Sequence, residues 1–392
     1  MRKILVVLVL LVSLVRLEAQ EGFSLQWHGF VNPHYYADSR SVVGGREDMM
    51  LFYPKPIERD SLGRDINDGW QANMLAITAR IGLRVNGPEM LGAGTFAYIE
   101  GDFTGSTNAT INNLRLRHAY FRMNWDKHEL TAGQYWYAMV VHEIMPMTNP
   151  LNMGSPFHCY ARQPQVRYSF FPTGNWELVA VAQWQLDNMS QGLLNGTPAS
   201  STLFSRHSLL PELNAQLRYR RGGLFLGAAA NLKSIQPMVN TAGTASPQQL
   251  HHSFTYSLFG SYRFDGFTVK AQTLLNNSLY EGCSLGGYLM LTDGSFSDWH
   301  FNTVWMDIER SGGHWRPGIF VGYAHNLDYG NTDFIHCFGR GHDLAYLWRI
   351  QPRLTYTTQK GLSFVGEAEY TYAGYEEPVG NLRLSLSAVY AF

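Results

Sequence analysis

The last thirteen residues of the chain alternate between apolar and polar side chains. In the segment GNLRLSLSAVYAF, from Gly380 to Phe392, every second residue is apolar, and Arg383, Ser385 and Ser387 fall between them. A period of two predicts a β-strand with one apolar and one polar face. Such a strand at the edge of a soluble sheet would invite aggregation, whereas a closed barrel in lipid pairs its last strand with its first. The pattern therefore favours a transmembrane β-barrel.

The same alternation recurs along most of the chain and predicts about sixteen strands. The clearest hairpin has Asp265-Gly266 as its two-residue turn. Phe264 then opposes Phe267 on the same face, which fixes the register of the pair. Short and long connections follow one another, as in barrels with short periplasmic turns and long extracellular loops. The predicted fold class is therefore all-β, a transmembrane antiparallel barrel whose two ends lie on the periplasmic side.

Four stretches are harder to assign. The polar segment from Asp38 to Gln71 is predicted to be a surface loop. We also interpret Tyr288 to Leu291 as loop, because a further strand would make the number of strands odd. The alternation changes phase after His118, which indicates a β-bulge. Ser295 to Asp307 is predicted to be a strand, with Trp299, Phe301 and Trp305 on the same face.

Composition agrees with a membrane barrel and not with a bundle of membrane helices. Charged residues make up 16% of the chain and aromatic residues 14%, and the mean hydropathy is −0.18. Low charge and abundant aromatic residues suit a barrel in which only alternate residues touch lipid. The formal net charge of −1 does not favour nucleic-acid binding.

The N-terminal stretch has the pattern of a secretory signal peptide. Arg2 and Lys3 precede an apolar core from Ile4 to Val15, which is too short to span a bilayer. We expect cleavage after Ala19, so that residues 1–19 are the signal peptide and residues 20–392 form a barrel in the bacterial outer membrane. The alternative is an uncleaved buried helix.

The polar faces of the predicted strands carry more basic than acidic residues. A barrel of this size holds water, so these faces would line a pore. The acidic residues are Glu100, Asp102, Glu177, Glu367 and Glu369. The thirteen basic residues are Arg80, Arg84, Arg115, Arg117, Arg167, Arg218, Arg220, Lys233, Arg263, Lys270, Arg349, Arg353 and Arg383. This excess favours a channel for anions. The alternative is that the arginines pair with carboxylates and only make the wall rigid.

The spacing from residue 140 to 162 indicates only a long loop after the fifth strand. Its position resembles that of the loop that folds inward and narrows the pore in general porins, and this resemblance makes it a candidate for a pore-constricting loop. It is rich in Met and Pro and has few charged residues. The alternative is an external loop that packs against a neighbouring subunit. His142 and His158 are candidate metal ligands, but lone histidines in loops seldom bind metal, so no metal or cofactor is expected. Three cysteines, an odd number, leave both one disulfide and none open.

The chain resembles general outer-membrane porins of the sixteen-stranded, trimeric kind. The resemblance rests on the N-terminal signal, the strand pattern and terminal Phe392. The segment LRLRHAYFRMNWDKHELTAGQYW, from Leu114 to Trp136, is similar to DcaP-like porins and more loosely to phosphate-selective porins. This implies a passive channel for small acidic solutes, a homotrimer, and recognition of the last strand by the barrel-assembly machinery. It also implies that Arg115 and Arg117 line the pore. The N-terminal coiled coil of DcaP-like porins is missing.

Other classes of function fit the sequence less well. A substrate-specific transporter would need a plug domain, and the first predicted strand begins within a few residues of Gln20. An enzyme would need a nucleophile and a base together on one wall, and the motif HExxH does not occur. A closed structural or adhesive barrel stays open as an alternative. The best prediction is a porin for passive diffusion of small anionic hydrophilic solutes.

Overall fold

The computed structural model describes residues 22–149, 153–358 and 361–392, and these residues are almost entirely β-structure. The predicted signal peptide, residues 1–19, lies outside them. The one α-helix is α1 (Leu203–Arg206), and 3-10 turns occur at Asn108–Thr110, His142–Ile144 and Tyr280–Gly282 within the described ranges. None of these helices is long and apolar enough to cross a membrane.

The strands of the described residues are, in chain order, β1 (Ser24–Val31), β2 (His34–Arg40), β3 (Val42–Gly45), β4 (Met50–Pro54), β5 (Asp68–Leu75), β6 (Arg80–Asn86), β7 (Gly94–Asp102), β8 (Arg115–Asn124), β9 (His128–Trp136), β10 (Arg162–Thr173), β11 (Trp176–Gln183), β12 (Gln191–Leu194), β13 (Thr197–Ser200), β14 (Glu212–Arg221), β15 (Leu224–Ile235), β16 (Met238–Val239), β17 (His251–Phe264), β18 (Phe267–Asn277), β19 (Gly286–Met290), β20 (Phe296–Trp299), β21 (Phe301–Arg310), β22 (Trp315–Asn326), β23 (His336–Arg340), β24 (Tyr346–Thr357), β25 (Leu362–Gly374) and β26 (Val379–Ala391).

Sixteen spanning strands close into one antiparallel barrel, which confirms the predicted fold class. The first spanning strand is β1 followed by β2, interrupted at Asn32-Pro33, and the second is β5 followed by β6. The other fourteen are β7 to β11, β14, β15, β17, β18, β21, β22 and β24 to β26. The barrel closes where the first spanning strand pairs with β26, so that Val31 lies opposite Tyr390. Asp38 lies opposite Arg383 in the same seam.

Short turns lie at one end of the barrel and long loops at the other. The Asp265-Gly266 hairpin has the predicted register, with Phe264 opposite Phe267. The loops, called L1 to L8 below, are residues 41–67, 103–114, 137–161, 184–211, 236–250, 278–300, 327–345 and 375–378. Strands β12, β13 and β16 form a small sheet in L4 and L5, and β19, β20 and β23 form another in L6 and L7.

The two faces of the wall differ as lipid and lumen require. On β26, Leu384 and Leu386 are 46% and 63% exposed on the outer face, whereas Arg383 and Ser385 are 2% and 4% exposed on the inner face. An apolar outer band lets lipid replace water, and the hydrogen-bonded ring leaves no open edge. The inner side chains are buried because loops fill much of the lumen.

The structure corrects three local predictions and supports a fourth. Residues 38–71 are not all loop, because β2 extends to Arg40 and β5 begins at Asp68. Tyr288 lies in a strand, β19, but this strand belongs to an extracellular sheet and leaves the barrel count even. Ser295 to Asp307 is not one strand but two, β20 of an extracellular sheet and β21 of the barrel, and Trp299, Phe301 and Trp305 are buried. The phase change near His118 is a register shift between β7 and β8, as predicted.

Candidate functional site

Loop L3 lies inside the barrel and reaches its opposite wall. It leaves β9 and first contacts nearby strands, where the backbone N–H of Ala138 donates to Gln183 at 2.9 Å. Further along, the Met147 N–H donates to Asp307 on β21 at 3.2 Å. The Asn149 N–H donates to a carboxylate of β25 at 3.0 Å. L3 therefore spans the lumen and divides its cross-section.

Apolar and aromatic packing holds the second half of L3 against β18, β21 and β22. Phe157 and His158 are fully buried. The His158 ring lies edge-on to Trp305 with centroids 5.3 Å apart, and its Nδ1 lies 2.7 Å from Gln272 Oε1. Burial lowers the pKa of His158 to about 4, so its ring is neutral at pH 7. This part of L3 is a packed plug and not a charged lining.

Most of the basic residues predicted to line the pore form ion pairs across the wall. Arg117 donates to Glu100 at 2.5 Å and to Asp102 at 2.7 Å. Arg115 binds Asp102 through two nitrogens, at 3.1 and 2.9 Å. Arg80 lies 3.7 Å from Glu100. These residues face inward on β6, β7 and β8, and their two carboxylates are shared among three arginines.

A second set of ion pairs stiffens the wall from β21 to the closing seam. Arg353 binds Asp307 at 2.6 Å and Glu309 at 2.8 Å. The remaining pairs of predicted pore residues are Arg218 with Glu143 and Glu177, Arg220 with Glu143, Lys233 with Glu281, Arg349 with Glu369, and Arg383 with Asp38. Nine of the thirteen predicted basic residues thus have a carboxylate within 4.0 Å. Pairs of this kind stabilise a geometry but add little net charge to a pore.

Four predicted basic residues have no ion pair with any carboxylate of the described residues. The guanidinium of Arg84 stacks 3.7 Å from the Phe96 ring centroid. Arg167 donates to the neutral Gln165 side chain at 3.2 Å, and Lys270 donates to the Met145 carbonyl of L3 at 2.8 Å. The fourth, Arg263, is exposed at the periplasmic end of β17. These residues carry the charge that the rest of the wall does not neutralise.

Further arginines that were not predicted from the sequence face the lumen, and two of them are Arg162 and Arg122. Arg162, at the end of L3, is buried with its guanidinium 3.9 Å from the Trp136 ring. It donates to the Tyr160 hydroxyl at 3.2 Å. Burial alone would raise the pKa of Tyr160, but Arg162 and Arg117 lower it to about 7. The surroundings of this phenol are therefore strongly positive. Arg122, the other one, was missed because the bulge near His118 shifts the inward phase.

A cavity of about 430 Å³ lies between L3 and the wall on the periplasmic side. We call it the arginine chamber. Four arginines and three glutamates line it together with His142, Tyr135 and smaller residues; the charged residues are Arg122, Arg167, Arg218, Arg220, Glu129, Glu143 and Glu177. The four arginines and three glutamates sum to one positive charge. Three of the four arginines have a glutamate partner, so the excess belongs to Arg167.

Glu143 of L3 is held in place by the chamber wall. Its carboxylate lies 3.4 Å from Arg218 and 3.2 Å from Arg220. Burial alone would raise the pKa of Glu143, but the two guanidinium groups hold it below its ordinary value. The carboxylate is therefore charged near neutral pH, and it ties the first half of L3 to β14.

Several inward-facing acids were missed from the sequence. Asp38 was assigned to a loop, yet it lies on β2 and binds Arg383 at 2.6 Å. Asp307 and Glu309 were missed because the aromatic residues of β21 suggested the opposite phase. Among the described residues, no group of three or more His, Cys, Asp or Glu side chains could hold a metal ion. The three cysteines are free thiols: Cys159 buried, Cys283 partly buried and Cys337 exposed.

Comparison with known proteins gives a fold and no sequence family. No protein-family model matches the chain, and no curated protein sequence is significantly similar to it. Among solved structures, the outer-membrane channel DcaP of Acinetobacter baumannii matches with a TM-score of 0.69 and 19% identity, covering 95% of this chain and 99% of that one. An anion-selective porin from Comamonas acidovorans matches with a TM-score of 0.57 and 10% identity, over 94% and 100% of the two chains. OmpF of Salmonella typhi matches with a TM-score of 0.54 and 11% identity, over 95% and 98%. The barrel therefore has the fold of a DcaP-like outer-membrane porin.

Proposed function

We propose that this protein is an outer-membrane porin, a water-filled channel through which small anionic hydrophilic solutes diffuse passively. The main observation behind the proposal is the arginine chamber. It is a polar cavity inside a closed barrel, and its lining carries one positive charge that no carboxylate neutralises. The fold supports the same conclusion, since the barrels it resembles are outer-membrane channels and porins, one of them described as anion-selective.

The geometry accounts for diffusion without any energy input. The apolar outer face places the barrel in lipid, and the hydrogen-bonded ring has no edge that lipid would have to solvate. L3 narrows the lumen and excludes large solutes. A passing anion exchanges part of its hydration for the guanidinium groups of Arg167 and its neighbours. Conduction needs attraction that is favourable enough for entry and weak enough for release. An excess of one charge in the chamber meets both conditions.

The ion pairs and the unpaired arginines have different roles in this proposal. Arg115 and Arg117 are bound to Glu100 and Asp102 and hold the wall in shape. The unpaired set, Arg84, Arg162, Arg167, Arg263 and Lys270, supplies the net positive potential. This assignment keeps all the predicted residues in the lumen but gives selectivity to only a few of them.

The cellular setting is part of the same proposal. Residues 1–19 act as a signal peptide, and residues 20–392 form the mature barrel in the outer membrane, assembled as a homotrimer. The barrel-assembly machinery recognises the last strand ending in Phe392. In the structure Phe392 exchanges two backbone hydrogen bonds of 3.0 Å with Gly29, which seals the first strand to the last.

One observation favours a second candidate, a closed structural barrel. L1 and L3 both enter the lumen, and large side chains such as Trp305 and Phe320 are fully buried against them. If these loops block every path, the lumen does not conduct, and the extracellular loops would carry the function.

Planar bilayers distinguish the two candidates. The refolded mature protein is inserted, and single-channel conductance and the reversal potential in a KCl gradient are measured. Step-like openings support a porin. A reversal potential close to the equilibrium potential of chloride supports a preference for anions. Openings with cation preference refute the anion proposal, and repeated silent insertions favour the closed barrel. A sample left unfolded in urea serves as the control for detergent artefacts.

A further inference from the structure

Loop L1 enters the barrel instead of extending away from it. Its strands β3 and β4 form a hairpin, and the residues after the hairpin tip are buried: Met49 and Leu51 fully and Phe52 nearly so. A loop that only covered the rim would leave such side chains in contact with water. L1 is therefore a second segment that occupies the lumen, in addition to L3.

Arg383 on the last strand binds the tip of this hairpin. Its guanidinium donates to the carbonyl oxygens of Asp48 at 2.7 Å and Met49 at 3.2 Å. The same group forms an ion pair of 2.6 Å with Asp38, so its position is fixed from both sides. Backbone carbonyls bound by a charged donor make short, directed contacts. The tip is thus fastened to the inward face of β26.

Arg349 on β24 fastens both loops at once. It donates to the carbonyl oxygens of Leu51 at 3.2 Å and Phe52 at 2.9 Å, both in L1. It also donates to the carbonyl oxygen of Ser155 in L3 at 2.7 Å. L1 and L3 are therefore held to the wall as one unit on this side of the lumen.

The tip of L1 has a strained backbone. Arg46, Glu47 and Asp48 follow one another with φ angles of 61°, 55° and 60°. Three successive non-glycine residues in the left-handed region are costly, and such strain persists only where the surroundings impose it. Asn108 of L2 imposes it here, because its side-chain oxygen accepts the N–H groups of Arg46 at 2.7 Å and Glu47 at 3.3 Å. Tyr36 also donates to the Glu47 carbonyl.

These contacts place Arg46 between two parts of the wall. One anchor of the tip is Arg383 on β26, and the other is Asn108 in the loop that joins β7 to β8. The first and second spanning strands and β7 lie between these two anchors. The tip of L1 therefore lies across the part of the lumen next to these strands. The Arg46 backbone is held by Asn108 of L2, and the residue is only partly exposed. Burial and the Arg115 cation lower the pKa of Arg46.

We propose that the tip of L1 forms a second constriction on the extracellular side of L3, and that Arg46 is a specificity-determining residue for anionic solutes there. This inference rests on the proposed porin function and extends it to a loop that the sequence did not indicate. An anion would meet Arg46 first and the arginine chamber afterwards. The strained backbone and its anchors keep the Arg46 side chain in the path instead of letting it swing outward.

The test compares Arg46→Glu with Arg46→Lys and with Arg206→Glu in planar bilayers. Arg206 is an exposed arginine of α1 in L4, so it controls for the same charge change outside the lumen. We expect Arg46→Glu to lower the anion-to-cation permeability ratio by roughly tenfold at 0.1 M salt. Arg46→Lys and Arg206→Glu should keep the wild-type ratio. An open Arg46→Glu channel with the wild-type ratio overturns the inference.

A crosslink tests the position of the tip even if the channel does not conduct. In a variant with the three native cysteines changed to serine, Glu47→Cys and Asn108→Cys are introduced together. The two positions are joined by a backbone-to-side-chain hydrogen bond, so mild oxidation should form the disulfide in the folded barrel, detected by mass spectrometry. A folded barrel without the disulfide overturns the inference. Silent wild-type channels with the disulfide formed refute the porin function and, with it, the role of Arg46.

Discussion

Replacing Arg167 by glutamine should remove most of the chamber's preference for anions. The charged lining has four arginines and three glutamates, and Arg167 is the arginine without a glutamate partner. The substitution therefore makes the charged lining neutral. Glutamine keeps a donor near Gln165 and fills part of the same space, so the wall should keep its shape.

The expected size follows from Coulomb's law. A unit charge about 4 Å from a passing anion contributes about 1 kcal/mol in a water-like medium. Because 1.4 kcal/mol corresponds to a tenfold change, the permeability to anions should fall about fivefold. The anion-to-cation permeability ratio should fall by at least as much, because cations are no longer repelled. At 1 M salt the Debye length is about 3 Å, so the difference between wild type and variant should nearly vanish. Arg167→Lys keeps the charge and should keep the ratio.

The assay is the reversal potential of single channels in KCl gradients, measured at low and at high mean salt. Arg206→Gln, on the extracellular helix α1, is the control for a charge removed outside the lumen. The reasoning is refuted if Arg167→Gln conducts normally with an unchanged ratio at low salt. It is also refuted if the Arg206 control shifts the ratio equally, because the selectivity would then be a property of the overall charge.

Three further outcomes are expected. Arg117→Ala leaves two buried carboxylates without their main partner and should destabilise the barrel by about 3–5 kcal/mol, seen as a lower urea midpoint in detergent; an unchanged midpoint would contradict a structural role. Glu143→Gln removes a negative charge from the chamber and should raise the anion-to-cation ratio, whereas a fall in the ratio would contradict the chamber as the selective site. In the folded protein a maleimide should label Cys337, and Cys159 should react only after unfolding; labelling of Cys159 in the folded barrel, measured by mass spectrometry, would show that L3 is not packed as described.

The fold was predictable because lipid imposes a simple rule on every strand. Outer residues must be apolar, and inner residues in a wide barrel are mostly polar, so the two faces differ strand after strand. The rule also gave the right number of strands. For Tyr288 it was right to exclude a further barrel strand but wrong to predict loop, because Tyr288 lies in a strand outside the wall.

The same rule fails where the lumen is filled. Trp305 and Phe301 are buried against the loops inside the barrel, so the inner face of β21 carries large aromatic residues as well as acids. A period of two then shows that two faces exist but not which one meets lipid. The acids of this strand were missed for that reason. Arg122 was missed for a different one, because a bulge changes the phase by one residue and the sequence only hints at where it occurs.

Pairing between distant strands could not be predicted from the sequence, and it decides what the charges do. Asp38 and Arg383 lie at opposite ends of the chain, yet the closure of the barrel makes them neighbours. The sequence showed thirteen basic residues against five acids and suggested a strongly positive lumen. Nine of those basic residues are neutralised by partners, several of them on other strands or in loops.

In the proposed channel, the arginines that matter for transport are therefore those that folding leaves without a partner. A paired arginine contributes a rigid wall, and removing it exposes a buried carboxylate, so its loss should be seen in stability. An unpaired arginine such as Arg167 contributes potential, so its loss should be seen in selectivity. A chain whose net charge is −1 can thus form an anion channel, because a few cations placed in the narrow path outweigh many acids placed elsewhere.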